Sequence, residues 1–232
     1  MSVQFKPKKR AFEKLIPPLL IGALGTVGVV ALYILVPGFQ PIELVLLLIV
    51  VGFGAVGYRQ GIVRGLMAAV ILYIATGVAA TLYPVSAPYA AAIRRILAVT
   101  FTGGLFSGQQ GASVNTTVDY DSLALSFILL TAIIWIALEA IMRASFRDTS
   151  LPSLGFLDNV GGVIVYLMLG FLVASLLFNA LGYGQLRREH DHALLRPRFN
   201  QALYAHYTTQ SFWFPKQPPD IYVYDLYLPH ER

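Results

Sequence analysis

The sequence predicts an all-α, polytopic membrane protein with about five transmembrane helices. Three observations carry this. Only 12% of the 232 residues are charged while 56% are hydrophobic, and the mean hydropathy is +0.65. A water-facing domain carries roughly 25% charged residues, so this surface faces lipid. The apolar residues also gather in runs that approach the ~20 residues needed to cross a bilayer core. Finally, the basic residues sit in short clusters between those runs rather than in one patch. That is the pattern of topogenic loops and argues against nucleic acid, despite a net charge of +5. The chain has no cysteine, which excludes disulfides, thiol catalysis and cysteine-ligated metal.

The first expected span is 15–36. It follows a basic segment containing Lys6, Lys8, Lys9, Arg10 and Lys14, with Pro17 and Pro18 in its first turn, where a missing N–H costs little. The run is long for a signal peptide, and the residues after it offer no small-x-small cleavage site, so the helix is expected to stay. The second and third spans are 41–57 and 66–83, joined by a connection carrying Arg59 and Arg64; Pro84 and Pro88 are expected to end the third. Residues 89–101 read as a short interfacial helix, and 103–117 as a Gly/Ser/Asn/Thr-rich loop. Spans four and five are 123–141 and 160–181, separated by a linker with Arg143 and Arg147. Residues 1–182 form the expected transmembrane domain, and 183–232 a polar, aromatic tail. Lysine and arginine placement puts the N-terminus, Arg59/Arg64 and Arg143/Arg147 in the cytoplasm and the tail outside.

Gly57, Gly61 and Gly65 recur at intervals of four, the small-xxx-small spacing that lets helices approach closely in lipid; the same residues alternatively form a turn between two spans. The expected role of Arg59, Arg64, Arg143 and Arg147 is to set topology or to bind lipid head groups. The candidates for a polar core are Glu43, Glu139 and Asp158. Glu43 lies near the outer end of its helix. Glu139 stands four residues before Arg143, the spacing of a helix ion pair; its alternative is a proton or ion relay. Asp158 precedes the last apolar run and reads as its N-cap.

His190, His192, His206 and His230 all lie outside the expected spans, which disfavours a haem or pigment subunit. His190-Asp191-His192 reads as solvated tail rather than a metal site, and no cofactor is expected. No Ser/His/Asp set, His-Glu-x-x-His, P-loop or paired intramembrane aspartates is present, so enzyme function ranks last. Phe212, Trp213 and Phe214, then Tyr222 and Tyr224, make the tail strongly aromatic, a composition suited to the membrane interface or to a protein partner.

Two blocks of residues carry a resemblance. The run from Pro41-Ile42-Glu43 to Tyr58-Arg59-Gln60-Gly61-Ile62-Val63-Arg64-Gly65 resembles the first block of the CvpA (colicin V production protein) family. Leu157-Asp158-Asn159-Val160-Gly161-Gly162 resembles that family's entry into its last helix, with Gly170 at a further family glycine. The stretch from Leu195-Arg196-Pro197 to Phe214-Pro215 is similar to its tail. The resemblance covers about residues 41–215, and 15–37 looks like an added helix. Gln60, Gly65, Asn159, Tyr166 and Leu169 depart from the pattern, each replacing a charge or a glycine. The resemblance implies a multi-pass bacterial inner-membrane protein linked to toxin production or export and to envelope homeostasis. Its expected partners are the bilayer and other membrane proteins or itself. An accessory subunit of a large membrane complex and a small channel or transporter, with Thr76, Thr131, Glu139 and Asn179 as lining candidates, stand as alternatives. Some relatives carry a trypsin-like protease domain outside the membrane; the chain is too short after the last span for one to be expected here.

Overall fold

The computed structural model describes residues 16–101, 120–145, 155–181 and 191–214. Five helices account for nearly all of them: α1 (Ile16–Leu35), α2 (Pro41–Phe101), α3 (Tyr120–Ser145), α4 (Phe156–Leu181) and α5 (Arg196–Gln210). Four of these are long and apolar enough to cross a membrane, over Ile16–Leu35, Pro41–Ile93, Leu123–Ser145 and Phe156–Ala180. The protein is an all-α polytopic membrane protein. The second candidate is 53 residues long, about 80 Å at 1.5 Å per residue and far beyond one ~30 Å bilayer core. Its backbone leaves helical geometry once, at Gly61 (φ 80°, ψ 171°), which divides it into two limbs, 41–60 and 62–101.

Two expectations are corrected along this helix. The connection around Arg59 and Arg64 is not a loop, because helix runs up to Gly61 and resumes directly after it. Pro84 and Pro88 do not end the third span: the helix continues through both, so 89–101 is its extension and not a separate interfacial helix. A proline removes a helical N–H bond and is tolerated in membrane helices where side chains satisfy the disturbed backbone. Helix α3 contacts this stretch: the Ser126 hydroxyl donates to the Tyr83 carbonyl (3.1 Å) and meets the Ser86 hydroxyl (2.5 Å). Helices α3 and α4 also extend beyond the apolar runs that marked them, to 120–145 and 156–181.

The chain divides into two compact units. The first takes residues 1–69, 149–174 and 192–195; α1, the first limb and start of the second limb of α2, and most of α4 pack in it. In this unit α1 runs antiparallel to the first limb, with Gly22 beside Ala55 and Gly25 against Val51. The second unit takes 70–148, 175–191 and 196–232. It has a core of Leu72, Ala75, Ala79, Ala80, Phe127, Phe178, Phe199 and Leu203, in which the Phe178 and Phe199 rings stack with centroids 4.9 Å apart.

Candidate functional site

In the first unit, the expected glycines meet one another across helices. Gly170 faces Val50 and Phe53, Gly54 faces Leu167, and Gly57 faces Gly162 and Tyr166, so α4 runs antiparallel to the first limb. Beyond Gly61 the order inverts: Ile62 faces Gly161 and Gly65 faces Val165 and Tyr166. The chain therefore reverses at Gly61 and returns alongside the same face of α4. The contact is tightest where backbones touch. A Cβ on Gly57 would fall on the carbonyl oxygen of Gly162, and a Cβ on Gly162 on the carbonyl oxygen of Gly57. Neither backbone atom can rotate away, unlike the end of a flexible side chain.

Asp158 closes this turn. Its Oδ1 accepts the backbone N–H of Ile62 at 2.9 Å, across 96 residues of sequence. The first N–H groups of any helix lack intrahelical partners, and a carboxylate also complements the positive helix end. The expectation that Asp158 caps its own helix is thus corrected. It lies in the first turn of α4, after Gly155 (φ 64°), whose carbonyl accepts the Asp158 N–H at 3.2 Å. Its side chain serves the second limb of α2 instead. Sequence spacing could not disclose a cap supplied by another helix.

Glu43 lies near the end of its helix, in the first turn of α2, as expected. It is fully buried there, with one carboxylate oxygen accepting the Gln40 N–H (2.8 Å) and the other the N–H of Leu195. The first bond is half of a capping box, in which a residue of the first turn reaches back to the N-cap. The second fixes the segment that immediately precedes α5. Arg59 and Arg64 are exposed, and Arg64 Nη1 donates to Gln60 Oε1 at 3.2 Å.

In the second unit, Glu139 and Arg143 form an ion pair (Oε1 to Nε 2.9 Å), with the arginine exposed. Arg147, Tyr222 and Tyr224 lie outside the described residues. The polar, aromatic tail is ordered over 196–210, where Phe199, Leu203, Tyr207 and Gln210 form a buried stripe on α5. Gln210 Nε2 donates to the Tyr73 carbonyl and to Thr76 Oγ1, each at 2.6 Å, and His206 Nε2 lies 2.8 Å from Thr76 Oγ1. The Tyr73 and His206 rings meet edge to face, 5.5 Å apart. Burial holds His206 down at about 4, hence neutral at physiological pH, and pushes the Tyr207 phenol up. Phe214 packs on Gly77, while Phe212 and Trp213 are exposed. This network was missed, although the spacing 199, 203, 207, 210 is a helical stripe visible in the sequence.

The geometry is that of a polytopic helical membrane protein held by backbone-close glycine contacts and by carboxylates that bind backbone N–H groups distant in sequence. A family model described as colicin V production protein matches residues 42–208. The chain belongs to the colicin V production protein family. The match begins beyond α1 and ends within the described tail. No curated protein and no solved structure matches the chain significantly.

Proposed function

We propose that this is a non-enzymatic inner-membrane protein that supports envelope homeostasis or the production and export of a colicin V-type toxin. It acts through helix packing and contacts with other membrane proteins or with a second copy. The N-terminus is cytoplasmic and the tail extracytoplasmic. The family match over 42–208 carries this reading. The two carboxylates best placed for chemistry in the first unit support it as well, since Glu43 and Asp158 are engaged with backbone N–H groups.

The test is a deletion strain of the host, scored for survival under detergent stress and for export of a small toxin. The reading expects a defect in at least one assay, restored by the wild-type chain and not by Gly57→Leu. A deletion strain matching its parent in both assays contradicts it. Mild-detergent purification with mass measurement then separates self-association from a larger complex.

A channel or transporter is the second reading, favoured by Thr131 Oγ1 and Glu139 Oε2, buried on α3 without a hydrogen-bond partner among the described residues. Solute or ion flux in liposomes holding only this protein supports it, and a flat trace removes it.

A further inference from the structure

Helix α5 is too short to be a span, yet it is fastened to one. Gln210 and His206 bond to Thr76 and to the Tyr73 carbonyl on α2. The chain then folds over the end of α5, with the Trp213 and Phe214 N–H groups both donating to the Gln210 carbonyl at 2.9 Å. The Phe214 ring lies over Gly77. Between these fixed points Phe212 and Trp213 project outward, 83% and 77% exposed.

The point of attachment is inside the span. Val70 and Ile74 precede Gly77, and Leu82, Val85 and Tyr89 follow it, all apolar and all exposed. At 1.5 Å per residue these flanks extend about 10 Å to one side of Gly77 and about 18 Å to the other. Side chains pinned beside Gly77 therefore lie alongside the apolar stretch, nearer one of its ends than the other. The exposed hydroxyls nearby behave accordingly: Thr209 Oγ1 donates to the His206 carbonyl and Ser211 Oγ to the Thr208 carbonyl, each at 2.7 Å. Both hydroxyls are thus satisfied within the helix, an arrangement compatible with a poorly hydrated setting. Phe and Trp each carry about 150–250 Å² of surface to bury, and the indole N–H favours the head-group boundary over the hydrocarbon centre.

We propose that the end of α5 is a bilayer anchor, with Phe212 and Trp213 seated at the boundary between lipid head groups and acyl chains. Its partner is lipid rather than a protein. The proposal is independent of any role in toxin export.

Trp135 and Trp213 are the only tryptophans in the chain, so the difference between the wild type and Trp213→Phe isolates Trp213. This exposed substitution leaves the packing of α5 intact. The full chain is placed in liposomes of phosphatidylcholine and phosphatidylglycerol, with or without bromine on the upper acyl chain. Brominated lipid is expected to quench the Trp213 signal, with little further quenching by aqueous iodide, as for an indole at the membrane interface. Quenching by iodide but not by brominated lipid would place Trp213 in water and overturn the proposal. Resistance to both quenchers would show a protein cover and overturn it equally. Should difference intensities prove small, Phe212→Cys carrying an environment-sensitive dye reads the same boundary and is judged by the same outcomes.

Discussion

At Gly61 two independent demands fall on one residue. The backbone sits at φ 80°, ψ 171°, a region essentially restricted to glycine. The space a Cβ would occupy is also taken, since the Asp158 carboxylate lies 2.5 Å from that position. Gly61→Ala is therefore expected to lower stability by about 1–3 kcal/mol from backbone strain alone, with a further loss if the Ile62 cap is displaced. Gly28, inside α1 with nothing within 4 Å of its would-be Cβ, is the matched control, and Gly28→Ala is expected to be neutral or slightly stabilising. Thermal melting in detergent compares them; equal melting temperatures would remove Gly61 from its assigned role. Glu43 makes a second demand of this kind. Each carboxylate oxygen accepts a backbone N–H, so Glu43→Gln turns one acceptor into a donor facing a donor. The expected loss is about 1–3 kcal/mol, as for a buried group left unsatisfied, read as earlier melting and faster proteolysis near Leu195. An unchanged melting profile would contradict the double cap.

Helix α5 is the element whose attachment responds to pH. His206 is held near 4 in place and returns to about 6.5 when the helix detaches. Its neighbours include Tyr73, Thr76 and Tyr207, none of them a carboxylate or a basic side chain. The detached state takes up a proton first as pH falls. Attachment is thus at full strength above about 6.5 and weakens as pH drops through 4, by about 3 kcal/mol in all. Hydrogen exchange of the 196–210 amides, corrected for intrinsic rates, is expected to accelerate over that window, and His206→Gln to flatten the dependence. Exchange indifferent to pH would show that His206 is not buried in solution. The elements themselves were largely legible in the sequence, since apolar runs of span length have few alternatives. What escaped was long-range. Pro84 and Pro88 read as breakers because each removes a helical N–H bond, yet the helix continues through both, in a stretch that Ser126 of another helix contacts at Tyr83 and Ser86. Asp158 read as a local cap because spacing along a chain records only local partners. The stripe on α5 is legible at 199, 203, 207 and 210, but it stands in a polar surrounding composition that masks it. The glycines at 57, 61 and 65 left packing and turning open, and the structure has them do both.

At the scale of the whole molecule, the break at Gly61 changes how the membrane is crossed. One uninterrupted helix over Pro41–Ile93 would overshoot the bilayer by tens of ångströms, whereas the reversal at Gly61 leaves a first limb, 41–60, of about 30 Å that matches it and a second limb long enough to cross and run beyond it. The exposed Arg59 and Arg64 flank that reversal, and basic residues in short connections favour the cytoplasmic side. Together with α1, α3 and α4 this makes five crossings, with α5 beyond the last. The absence of cysteine from the chain makes the claim directly measurable. Single cysteines are introduced as Arg64→Cys and Gln201→Cys, both at exposed positions, and labelled in intact and permeabilised cells with a membrane-impermeant maleimide. The account predicts labelling from opposite sides, Gln201→Cys in intact cells and Arg64→Cys only after permeabilisation; labelling of both from the same side would contradict it.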